Sequence, residues 1–91
     1  MKAELLQDIV DACGMLADPT RVSIVAILGK ASKSVGMLCS ELKLAQPTTS
    51  HHLGLLRRTG LVSRQRKGKQ MFYSLRREKL QPVKQFLAKL K

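Results

Sequence analysis

The sequence has no tryptophan, one tyrosine and two phenylalanines, so aromatic residues make up only 3% of it. Its core must therefore be aliphatic, and it lacks the stacking platforms on which single strands and most RNAs are read. Cysteine is equally scarce. Cys13 and Cys39 are too few and too far apart for a disulfide framework, which agrees with a reducing compartment. No apolar run nears the ~18 residues of a membrane span. The opening "MKAELLQDIVDACG" mixes acidic and apolar residues where a signal peptide would keep a continuous apolar centre. A soluble, cytoplasmic protein with no membrane partner is expected. The chain also offers no acid–base pair, no nucleophile with a base at a telling spacing and no glycine-rich phosphate loop, so it is not expected to be an enzyme.

Acidic charge is missing from one half. Residues 46–91 hold a single anion, Glu78, against twelve cations, whereas residues 1–45 balance five cations (Lys2, Arg21, Lys30, Lys33, Lys43) with five anions (Glu4, Asp8, Asp11, Asp18, Glu41). The whole net charge of +11 therefore begins at Gln46. A solubilising surface would mix both signs throughout, whereas this one-sided excess suits a polyanion, nucleic acid or an acidic membrane face. With 91 residues and 44% hydrophobic content, one domain over 1–91 is expected, small enough to gain from a partner subunit.

The hydrophobic spacing predicts a helix over Glu4–Leu16, with Leu5, Leu6, Ile9, Val10, Cys13 and Leu16 on one stripe. Asp18 can cap a second helix that has Pro19 in its first turn and runs to Gly29. A short third helix, about Val35–Lys43, has Leu38 and Leu42 on its inner face. After a break at Leu44–Ala45, a fourth helix begins at Gln46 with Pro47 in its first turn and stops at Gly60. The period then changes. "LVSRQRKGKQMFYSL" reads as a β-hairpin bent at Gly68, and Lys79–Lys91 returns to helical spacing through Leu80, Val83, Phe86, Leu87 and Leu90. Met37 and Met71 are taken as core fillers.

Two short helices about a tight break, the second rich in Gln, Thr, Ser and His, make a helix-turn-helix. With Leu53 at the centre of the buried face of the fourth helix, Leu56 and Thr49 fall beside it while Thr48 and His51 point away. Short hydrogen-bonding groups directed outward near a helix N-terminus suit base edges in the major groove. Leu55 also points outward, and the helical wheel gives no reason for it. In the hairpin, Arg64, Arg66, Lys67 and Lys69 surround the bend, a tip suited to a DNA backbone or minor groove. Double-stranded DNA is the partner this pattern fits, read sequence-specifically. The competing reading is a non-specific DNA-binding architectural module, which would need the cations but not Thr48 and His51.

"LADPTRVSIVAIL", "LAQPTTSHHLGLLRRTGLV" and "RKGKQMFYSL" together resemble the arsenic-repressor (ArsR/SmtB) family of winged-helix transcriptional repressors over about residues 13–77. The resemblance implies a mainly α winged helix-turn-helix with five helices and a β-hairpin wing. It also implies a homodimer through the first and last helices. It carries DNA contact onto Gln46, Thr48, Thr49, Ser50, His51 and His52. Wing contacts fall on Arg64, Arg66, Lys67 and Lys69. Read from the residues alone, Arg57 and Arg58 are either cations favoured by a helix C-terminus or phosphate contacts, the second reading suiting Arg58 better. Family members usually have Ser where this chain has Ala45, so a helix cap is lost. Thr49 stands where an apolar residue is common, which would bury it in part. His52 admits two readings, packing between helices or a phosphate contact.

Metal-sensing members of the family use a Cys-x-Cys pair or an Asp, His and Glu set on the last helix. Here Ser34-Val35-Gly36-Met37 has no thiol, only Cys39 falls near such a position, and Lys79–Lys91 has no His, Asp or Glu. Neighbours on a helix such as His51 and His52 diverge by about 100° and cannot share one ion. Neither a metal nor a cofactor is expected. Cys13 and Cys39 remain open between a thiol pair that senses oxidation and two small buried hydrophobes. A small-molecule or redox effector is therefore possible on this sequence but not identified by it.

Overall fold

A computed structural model describes residues 1–90 of the chain. Five α-helices and a small sheet follow in the order α1 (Ala3–Met15), α2 (Pro19–Leu28), β1 (Lys33–Ser34), α3 (Val35–Leu42), α4 (Gln46–Arg58), β2 (Val62–Lys67), β3 (Gln70–Leu75), a 3-10 turn (Arg77–Leu80) and α5 (Gln81–Ala88). This is the winged helix-turn-helix that the periodicity and the resemblance imply. The core is aliphatic apart from Tyr73, and lies where α2, α3 and α4 meet the base of the hairpin: Ile24, Leu28, Leu38, Leu53, Leu56, Leu61 and Val62.

Local chemistry sets most boundaries. Asp18 accepts a hydrogen bond from the Arg21 backbone N–H at 3.0 Å and caps α2, with Pro19 in the first turn. Ser34 caps α3 in the same way, accepting from the Met37 N–H at 3.2 Å. The turn of the helix-turn-helix is made by Lys43 in the left-handed region, φ 57 and ψ 45. Gly60, at φ 82, ends α4. Gly68, at φ 64, opens the two-residue turn between Lys67 and Gln70, as a glycine-first hairpin turn requires.

Ala45 precedes α4 and supplies no side-chain hydrogen bond to the helix's exposed N–H groups. Ala45→Ser is accordingly expected to stabilise the fold by about 1 kcal/mol, seen as a rise in melting temperature of about 4–8 °C by circular dichroism. An unchanged melting temperature would mean that solvent already satisfies those donors.

Three expectations need correction. The polar run before α3 contains a strand, β1, which pairs antiparallel with β3 as Lys33 opposite Tyr73 and Ser34 opposite Phe72. Two polar residues have no strand pattern of their own; the partner strand makes them one. The last α-helix starts at Gln81 rather than Lys79, because Pro82 belongs in a first turn and the preceding residues close as a 3-10 turn. Its expected end at Lys91 lies outside the described residues. Met37 is 45% exposed instead of filling the core, while Met71 packs against the core from its edge.

The stripe of α1 is largely uncovered: Ile9 and Ala12 are buried, but Leu5, Leu6 and Val10 are exposed. On α5 and just beyond it, Phe86, Leu87 and Leu90 are exposed too. Helices α1 and α5 pack on each other, and α1 meets the core built by α2 to β3 through Met15 at its C-terminal end.

Candidate nucleic-acid interface

The apolar period of α4 turns Thr49, Leu53 and Leu56 inward and thereby turns Gln46, Pro47, Thr48, Ser50 and His51 outward, all five exposed. Thr49 is corrected as a contact candidate. It is fully buried, and its hydroxyl donates to the Ala45 carbonyl at 3.1 Å, so it holds the first turn of α4 and presents nothing to a groove. Leu55, which the helical wheel points outward, is half-buried.

His52 packs between helices. Its Nδ1 lies 3.4 Å from the Arg21 guanidinium and 3.8 Å from the Asp18 carboxylate, with its side chain 15% exposed. Arg21 also donates through Nε to the Met15 carbonyl at 2.9 Å and reaches the Gly14 carbonyl at 3.4 Å. One guanidinium thus joins the end of α1, the start of α2 and the middle of α4. Because a guanidinium only donates, neutral His52 must accept through Nδ1, whereas protonated His52 can turn that N–H to Asp18. The Asp18 carboxyl is held below its ordinary value chiefly by the Arg21 backbone N–H; desolvation opposes this, and the charges of His52 and Arg21 reinforce it. With its pKa lowered by folding, ionised Asp18 stabilises this junction above the ordinary carboxylate range. That contribution is lost as pH falls through the depressed value. Arg21 was not singled out from the sequence, and no local signal marks it, since its partner on α4 is 31 residues away.

The cationic elements stand out from this scaffold. Arg57 and Arg58 are exposed in the last turn of α4, and Arg64, Arg66, Lys67 and Lys69 are exposed on the hairpin. None of the six is ion-paired among the described residues, where the pairs are Lys33–Glu41, Arg76–Glu78 and His52–Asp18. Arg66 Nε donates to the Gly68 carbonyl at 3.1 Å, and the Lys67 ammonium sits 5.4 Å from the centre of the Phe72 ring, so two of the four wing cations are oriented by the hairpin itself. Arg77 is used internally, donating to the Gly29 carbonyl.

Cys13 and Cys39 are both free thiols, on α1 and α3. Cys13 is exposed rather than packed as a buried hydrophobe, because the stripe that carries it is the uncovered one; Cys39 is half-buried. Among the described residues, no three His, Cys, Asp or Glu side chains converge on a point that would hold a metal ion. No helix among them is long and apolar enough to cross a membrane.

A family model described as "Bacterial regulatory protein, arsR family" matches residues 18–64, from the cap of α2 into β2. The chain is 42% identical over 64 residues to the biofilm growth-associated repressor of Agrobacterium fabrum, an overlap of 70% of this chain and 55% of that one. It is 33% identical over 66 residues to the transcriptional repressor SdpR of Bacillus subtilis, covering 72% of this chain and 73% of the relative. Among solved structures, HlyU from Vibrio cholerae matches all of both chains with a TM-score of 0.80 at 29% identity. The chain spans about half the length of the first curated relatives it matches.

Proposed function

Because the chain belongs to the arsR family of bacterial regulatory proteins, we propose that it is a sequence-specific, double-stranded-DNA-binding transcriptional repressor rather than an enzyme, acting as a homodimer on an inverted-repeat operator. The observation that carries this is the division of α4: Thr49, Leu53 and Leu56 are buried, and Gln46, Thr48, Ser50 and His51 are left exposed. In this proposal the outward face of α4 reads base edges in the major groove. The wing, through Arg64, Arg66, Lys67 and Lys69, and Arg58 at the far end of α4 hold the backbone. His52 orients α4 from behind through Arg21 and Asp18. The naming of similar proteins as repressors supports repression over activation. The exposed apolar faces of α1 and α5 support pairing through those helices.

The test is fluorescence-anisotropy binding to DNA upstream of the protein's own gene beside a scrambled duplex, first with reductant and then with a mild oxidant. Selective binding under reductant is expected; equal binding to both duplexes favours the architectural reading. Loss of selective binding on oxidation would make Cys13 and Cys39 the sensor. In the same assay Arg66→Ala and Lys69→Ala are each expected to weaken binding to both duplexes and make the slope of log affinity against log salt shallower by about one. An unchanged slope would remove the wing from the interface.

A further inference from the structure

Between the first turn of α4 and the base of the wing lies an open cleft of about 410 Å³, lined by Ser34, Val35, Gly36, Gln46, Ser50, Gln70, Met71 and Tyr73. Tyr73 is the unusual member. It is 7% exposed, on the central strand of the sheet, where β1 and β2 hold it from both sides. Its hydroxyl makes no hydrogen bond among the described residues, and it is not one of the sealed polar atoms of the interior. The small accessible part of this side chain therefore includes the hydroxyl, and Tyr73 borders the cleft.

No charged side chain lines the cleft, but its edge is cationic. Arg64 stands directly opposite Tyr73 in the antiparallel register, so the two side chains leave the same face of the hairpin, with Arg66 following on that face. A neighbouring opening along α3 shares Ser34, Gly36 and Gln70 with the cleft and reaches Glu41, whose carboxylate is offset by Lys33 at 3.2 Å. A small molecule would call for an enclosing pocket that buries most of its surface. An open trough of neutral hydrogen-bonding groups, rimmed by cations and set between the two proposed DNA-reading elements, suits one strand of a polyanion passing through.

We propose that this trough is a backbone subsite in which a single phosphodiester of the bound duplex is held by the Tyr73 hydroxyl, with Arg64 supplying charge from the opposite strand. The subsite rests on the DNA-binding proposal and adds to it a neutral donor on the central strand of the sheet, apart from the cationic tip. Tyr73 fixes how far the wing base stands from the backbone, and so the depth to which α4 enters the groove.

Tyr73→Phe removes only the hydroxyl and keeps the buried ring. Affinity for operator and scrambled duplex should both fall about tenfold, as for a lost hydrogen bond to a charged group. The salt slope should be unchanged, because no cation is removed. A set of operators, each carrying one uncharged methylphosphonate, locates the contact: at one position per half-site the wild type should lose affinity while Tyr73→Phe loses little more. Gly36→Ala is a second probe, since an added Cβ meets nothing closer than Ser34 Oγ at 4.0 Å and narrows the trough without straining the fold; it should weaken both duplexes severalfold. Wild-type affinity in Tyr73→Phe overturns the subsite whatever Gly36→Ala does, and so does a loss in Tyr73→Phe that is additive with every methylphosphonate. A wild-type chain that binds no duplex overturns the repressor proposal as well. Binding by the wild type with Tyr73→Phe unaffected overturns only the subsite.

Discussion

Replacing Thr48 and His51 together by alanine is expected to lower operator affinity about 100-fold while changing affinity for a scrambled duplex less than about threefold. Both side chains are exposed on the first two turns of α4, opposite the buried Thr49, Leu53 and Leu56. Neither supports the core, so the variant should keep the wild-type melting temperature. A base-edge contact contributes about 1–3 kcal/mol of discrimination, and two of them reach the stated factor. Non-specific affinity comes from cations meeting phosphates, and the double variant removes none of them. Equal losses on both duplexes would remove direct readout from the account and leave α4 as a backbone-binding helix. The contrast with Arg66→Ala and Lys69→Ala matters, because those changes should do the reverse and weaken both duplexes alike.

Leu6→Lys combined with Leu87→Lys should convert a dimer to a monomer in sedimentation velocity and lower operator affinity by about 10²–10⁴-fold, the range by which linking two binding units raises affinity. The residues are 53% and 57% exposed and lie outside the core cluster, so charge there leaves the single-chain core intact. Exposed Leu5, Leu6 and Val10 on α1, with Phe86, Leu87 and Leu90 at the other terminus, leave two packed helices with apolar faces open to water. Such a patch on a 91-residue chain favours burial against a second copy. Persistence of the dimer in the double variant would place the pairing surface elsewhere; a monomer that still bound the operator with wild-type affinity would show that two half-sites are not read together.

Much of this was legible in the chain itself. The α4 division follows from the 3.6-residue period, which sorts Thr48 and His51 from Leu53 and Leu56 whatever the fold around them. Asp18, Pro19, Gly60 and Gly68 set their boundaries through local backbone chemistry, and the charge imbalance after Gln46 is a matter of counting. Where local signals sufficed, the elements lie as expected to within a residue or two.

What only the tertiary structure decided depends on partners distant in sequence. Lys33 and Ser34 become a strand because β3 lies beside them, and that pairing holds Tyr73 in place. Arg21 reaches His52 across 31 residues, which turns a candidate phosphate ligand into a brace behind α4. The stripe of α1 shows the limit of periodicity most clearly. Spacing determines that one face of a helix is apolar, but whether that face meets its own core or another surface depends on where the rest of the chain packs. In this fold the core is completed by α2, α3, α4 and the hairpin, and Leu5, Leu6, Val10 and Cys13 are left outside it.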